Sequence, residues 1–117
     1  MEISYTINYP FRLISKSNEK ITNRYGRPFL SRKFRDWETL VKLHTGKREL
    51  LTGDLQIEVI AYFKTKVHSD AVNLFKGLTD ALQGILYAND KQIKKASVEV
   101  IENSESDSFT VIVSEIT

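Results

Sequence analysis

Within positions 70 to 90 the chain carries Asp70, Lys76, Asp80 and Asp90. Carboxylates and a lysine in such a cluster point to one kind of chemistry above others. Mg²⁺ prefers hard oxygen ligands, keeps several waters, and is commonly held by one or two protein carboxylates plus a substrate phosphate. A cation so held can activate water for in-line attack on a phosphodiester and stabilise the developing charge. A neighbouring lysine can neutralise the phosphate or assist the leaving oxygen. Each residue also has a plain structural reading. Asp70 is a good helix N-cap, Lys76 and Asp80 have the i,i+4 spacing of a surface pair, and Asp90 suits a turn. Asp70 and Asp90 can share a cation only if the chain doubles back after the helix between them, which at about 15 residues would be ~22 Å long.

The rest of the composition narrows the alternatives. The chain has 117 residues and no cysteine, so disulfides, thiolate nucleophiles and Cys-based zinc sites are excluded. Its two histidines, His44 and His68, show no H-E-x-x-H spacing. The length suits one domain, residues 1–117, that can bury a core without staples. No apolar run approaches the ~18 residues of a membrane span, and no charged-then-apolar leader is evident. The expectation is a soluble, cytoplasmic domain with no membrane partner. Charge is unevenly divided. Residues 12–48 hold 11 Lys/Arg against 3 acids, whereas residues 49–117 hold 6 Lys against 11 acids. A basic first half on a chain of formal charge +2 points to an anionic partner such as nucleic acid, or else to a solvated helix face and loop.

The elements that must position these groups follow from hydrophobic period. Ile3, Tyr5 and Ile7 alternate with polar residues and predict a first strand ending at Pro10. Residues 11–30 read as a long polar loop with a short hairpin around Tyr25-Gly26-Arg27, a length more often functional than not. Phe34, Trp37, Leu40, Val41 and His44 recur at helical spacing and predict an amphipathic helix over 32–45, with Gly46 just past its end. Trp37 and His44 fall on its apolar face and are read as core or dimer-interface residues. Leu55, Ile57, Val59, Ala61 and Phe63 alternate as a long strand. A second helix starts near Asp70, with Ala71, Leu74, Phe75, Leu78, Ala81, Leu82 and Ile85 as its apolar stripe. Strands over 93–102 and around 109–113 complete the chain and are expected to form an antiparallel hairpin. The order is β-α-β-α-β-β, an α+β fold with two helices on a mixed four-stranded sheet.

The segment His68–Ile93 resembles the signature of the RusA-type Holliday junction resolvases, roughly D-x-D-N-L-x-K-x-x-x-D-A-L followed after a short stretch by D-D-x-Q-[IV]. Asp70, Asn73, Leu74, Lys76, Asp80, Ala81, Leu82, Asp90, Gln92 and Ile93 match it. Ser15-Lys16-Ser17-Asn18 is similar to the family's early S-x-N, and Arg24 to Ser31 to its R-x-G-R-x-x-[LV]-S segment. The resemblance implies a small homodimeric endonuclease that nicks four-way DNA junctions using Mg²⁺, with Mn²⁺ as a substitute. Under it Asp70 and Asp90 are metal ligands, Lys76 is needed for activity, and Asp80 and Asn73 support the helix face. Lys16, Arg24, Arg27 and Arg32 are expected to contact DNA phosphates. Phe11, Tyr25 or Phe29 could stack on an unpaired base or, as plain structure, pin the loop to the core. His68 reads as a proton-transfer aid or an ordinary loop histidine.

One departure bears on activity. Val72 stands where the pattern has the second acid of D-x-D, and Asn89 where it has the first acid of D-D. A valine binds no cation. The sequence therefore supports three readings: a junction-resolving endonuclease, a weak or inactive junction-binding protein of the same fold, and a small RNA- or protein-binding α+β module.

Overall fold

The structure, a computed structural model, describes residues 4–15, 20–22, 28–30 and 32–116. Strand β1 spans Ser4–Tyr9, and two three-residue strands, β2 (Lys20–Thr22) and β3 (Pro28–Leu30), pair antiparallel as a separate small ribbon. Helix α1 (Arg32–Thr45), strand β4 (Leu55–Tyr62), helix α2 (Ala71–Leu82), a 3₁₀ turn (Asp90–Gln92), β5 (Ile93–Ile101) and β6 (Ser108–Glu115) follow. Outside the small ribbon the order is β-α-β-α-β-β, as the hydrophobic periods predict.

Four strands form one sheet in the order β1-β6-β4-β5. The expected β5–β6 hairpin does not form. β6 runs antiparallel between β1 and β4, while β5 lies parallel to β4 at the sheet edge. Side-chain character explains the arrangement. β6 turns Phe109, Val111 and Val113 fully into the core, which suits an interior strand. β5 carries Lys94, Lys95, Ser97 and Glu99, all exposed, as suits a strand at the sheet edge. The link from β5 to β6 crosses the end of β4: Phe63 N donates to Ile101 O, and Ser104 N donates to Phe63 O, both at 2.9 Å. Because β4 and β5 are parallel, α2 must return the chain along the sheet between them.

The core lies between one sheet face and the two helices. β4 contributes Leu55, Ile57, Val59 and Ala61, all buried, and its other face is half-covered. α1 buries Phe34, Trp37, Val41 and Thr45, whereas Leu40 is 49 % exposed and His44 is exposed. The stripe thus runs at spacings of three, four and four, and Leu40 and His44 fall on its flank. His44 still packs its ring near Tyr9 and Phe11, and its Nε2 lies 2.8 Å from Asn8 O. The buried Thr45 is satisfied: its Oγ1 donates to Val41 O and accepts from Tyr9 Oη, each at 2.7 Å. Gly46 ends the helix at φ 72°, with its N–H on Lys42 O, a conformation that favours glycine.

Candidate active site

Asp70 is the N-cap of α2. Its Oδ1 accepts from Asn73 N at 2.9 Å, its Oδ2 accepts from Asn73 Nδ2 at 3.2 Å, and its carbonyl accepts from Leu74 N. Asn73, read beforehand as helix support, therefore orients both carboxylate oxygens. A carboxylate has about four acceptor positions, so two remain for a ligand, and Asp70 is exposed. Val72 follows at 78 % exposure on the first turn. Lys76 lies further along the helix, also exposed.

Asp90 opens the 3₁₀ turn and is likewise exposed. Neutral amides hold it. Gln92 Oε1 accepts from Ala88 N and Asn89 N at 3.0 and 2.9 Å, and its Nε2 donates to Leu51 O and Gly53 O at 2.9 and 3.0 Å. Asn89 Oδ1 accepts from Lys91 N at 2.9 Å, so this residue caps the turn in place of the family's acid. Gln83, the C-cap of α2, lies 3.4 Å from Asp90 N through its Oε1. Gly84 makes the preceding turn at φ 86°, with its N–H on Tyr87 O. The buried Tyr87 hydroxyl donates to Thr79 O at 2.6 Å. Burial pushes its pKa up, and the negative charges of Asp90 and Asp80 push it further. Asp80 and Asp90 thus act on one spot near the C-terminal end of α2.

The sheet register places the two site aspartates apart within one chain. Asp90 lies just before Ile93, which pairs with Leu55 at the start of β4; Asp70 follows the opposite end, where Tyr62 pairs with Ile101. Those ends are separated by about 23 Å of strand, and α2 spans about 18 Å between them. The chain does double back after α2, but to the beginning of β4. Among the described residues no group of three or more His, Asp or Glu forms a site able to hold a metal ion. Asp70 and Asp90 of one chain are therefore not brought together.

The Asp70 end carries a polar network that sequence reading largely missed. Arg12 Nη1 pairs with Asp107 Oδ2 at 3.3 Å, and its Nη2 donates to Val67 O at 2.6 Å. Asp107 Oδ1 accepts from Lys64 N at 2.8 Å. That backbone bond, followed by the Arg12 contact, holds the Asp107 carboxyl below its ordinary range. His68 lies with Nε2 2.5 Å from Glu102 Oε2 and Nδ1 2.8 Å from Ser69 O. Both partners are acceptors, so the ring is fully used as the imidazolium. The Ser69 carbonyl foremost, then Glu102, raises its pKa against the opposing effect of burial. The His68 ring stacks on Phe63, and the Arg12 guanidinium lies 4.9 Å from the same ring centre. With both nitrogens committed, the His68 ring is held in place. The only sequence signal for this network was the position of His68 two residues before Asp70.

Arg32 begins α1, highly exposed, 3.9 Å from Asp36, which is also exposed. Phe11 is half-buried, edge-on to Tyr9 and Phe109, which fits the loop-pinning reading. Lys16, Arg24, Tyr25 and Arg27 lie outside the described residues. No helix of the described residues is long and apolar enough to cross a membrane.

Among curated proteins none matches this chain. The family model of endodeoxyribonuclease RusA matches residues 10–113, a span that contains Asp70, Lys76 and Asp90 within the elements just described, and the chain belongs to that family.

Proposed function

We propose that this protein is a structure-selective endodeoxyribonuclease that resolves four-way (Holliday) junctions as a homodimer, with Mg²⁺ or Mn²⁺, in DNA recombination and repair. The observation that carries the reading is the family match over 10–113, which spans both aspartates and the lysine. Asp70 and Asp90 are the metal ligands, and Lys76 offsets phosphate charge. Lys16, Arg24, Arg27 and Arg32 hold the DNA backbone.

The separation of the acids makes the second copy part of the site. β5 is an edge strand, and beside it Ala71, Val72, Phe75, Ala96, Ser97 and Val98 line a shallow groove between α2 and β5. A two-fold axis across this face sets the two β5 strands antiparallel. The Asp70 end of one copy then meets the Asp90 end of the other, and two equivalent sites result, one for each strand nicked. A divalent cation, when bound, supplies Lewis-acid charge at the phosphodiester. The chain's own part is to hold Asp70 through Asn73 and Asp90 through Gln92, and to present Lys76 toward the DNA. Neutralising Lys76 or the basic loop lowers affinity and its salt dependence, since each phosphate contact releases counterions.

Cleavage of a synthetic four-way junction in Mg²⁺ or Mn²⁺ tests the reading. Asp70→Asn and Asp90→Asn chains are each expected to be inactive, and their mixture to regain single-strand nicks, because the mixed dimer contains one intact site. A junction that is bound but never nicked, by the natural chain or by Val72→Asp, rejects the enzyme. That outcome would favour a second reading, a junction-binding protein without catalysis. The observation behind it is Val72, exposed on the first turn of α2 where the family's pattern has an acid.

A further inference from the structure

Beside Asp70 lies a cavity of about 300 Å³ whose lining includes Arg12, Ser15, Lys33, His68 and Ser69. At ~30 Å³ per water this is room for about ten waters, enough for a hydrated phosphate. Its chemistry is that of an anion site. Arg12 uses two of its five N–H donors on Asp107 and Val67, which brace the guanidinium and leave donors over. His68 adds a ring whose position is fixed by Ser69 O and Glu102. Lys33, exposed on the first turn of α1, adds an ammonium. Two helices also begin here: Lys33 is the second residue of α1, and Ser69 precedes the cap of α2.

An independent feature is Ser15. It is 2 % exposed, and its Oγ is a buried side-chain atom with no hydrogen-bond partner among the described residues. A buried hydroxyl left unsatisfied destabilises the free protein, and it calls for a ligand or water. Here it lines a cavity that Arg12, Lys33 and His68 also line.

We propose that the Arg12–Ser15–Lys33–His68 cavity binds one backbone phosphate of the DNA strand that passes Asp70, with the Ser15 hydroxyl and the Arg12 and Lys33 donors on its oxygens. This subsite rests on the nuclease reading and deepens it, since it fixes the register of that strand relative to the site. Ser15 is a positioning residue here, not a catalytic one.

The test is junction binding by fluorescence anisotropy in EDTA, so that cleavage plays no part, over a salt series. Ser15→Ala is expected to raise the Tm of the free protein yet weaken junction binding about 3- to 10-fold, with the salt slope unchanged. Lys33→Gln should weaken binding and lower the slope by about 0.9. A neutral methylphosphonate moved along the strand should reveal one position that weakens the natural protein but adds nothing in the Ser15→Ala, Lys33→Gln double variant. Unchanged affinity in both single variants, or methylphosphonate costs identical in natural and variant protein, overturns the proposal. So does displacement of the junction by low millimolar inorganic phosphate from the natural protein but not from the variants, which would make this a free-phosphate site. Loss of cleavage with these binding effects intact would defeat the nuclease reading alone.

Discussion

The two ends of α2 each present an exposed aspartate, but they are built from opposite materials. At the Asp70 end the scaffold is ionic: Arg12 on Asp107, His68 on Glu102, with the Phe63 ring against both the guanidinium and the imidazole. At the Asp90 end it is neutral: the Gln92 amide joins the backbone of residues 88–89 to that of residues 51–53, and Asn89 caps the turn. The difference shows two ways in which a small domain can hold an exposed carboxylate. A scaffold of ion pairs makes that end sensitive to pH and salt. An amide clamp holds its carboxylate with no added charge.

If both aspartates serve one reaction, their removal should be equivalent despite these different settings. Asp70→Asn and Asp90→Asn should each reduce junction nicking on the order of 10²- to 10³-fold, measured at saturating protein. Stability should barely change in the first, because asparagine is also a good N-cap. A loss confined to one of the two would break the symmetry argued here. The next largest effect concerns the neutral end. Gln92→Ala removes four hydrogen bonds around a half-buried amide and should lower stability by about 2–3 kcal/mol. Urea unfolding would show this with little dependence on salt.

The ionic end should differ in its response to pH. The His68 pKa is raised above its ordinary 6.5 by folding, so its contribution is fully present below that pH and is lost as pH rises through the folded value. The Asp107 pKa is lowered from 3.8, so its contribution is present above that pH and is lost as pH falls through the folded value. Both contributions are present together between about pH 4 and pH 6.5. Unfolding measured at pH 6 and pH 8.5 should show a loss that His68→Gln removes, and Gln92→Ala should leave that loss intact. The smallest effect is expected at Arg32. Its pair with Asp36 is long and open to solvent, so Arg32→Ala should change stability by less than about 0.5 kcal/mol. Junction affinity in the same variant should still fall if Arg32 meets phosphate.

Much of this was legible in the residue order. The periods of Phe34–Trp37–Val41 and Leu74–Leu78–Leu82 located both helices, Asp70 marked the start of α2, and the alternation from Leu55 to Phe63 marked β4. The phase of α1 was less legible, because Leu40 and His44 are apolar or aromatic yet fall beside the stripe. The pairing of β5 with β6 was read wrongly, because adjacency in sequence favours a hairpin and only the burial of Phe109, Val111 and Val113 inserts β6 beside β4.

The sequence by itself determined which elements exist, where they are capped, how charge divides between the halves, and which family signature the chain bears. These depend on neighbours one to four positions apart, where period and capping act. The tertiary structure decided the strand order, the placement of Asp70 and Asp90 at opposite ends, and the assembly of Arg12, Ser15 and His68 around one cavity. Those outcomes depend on contacts such as Arg12 with Asp107 and Gln92 with Leu51, 95 and 41 positions apart, which no local pattern encodes.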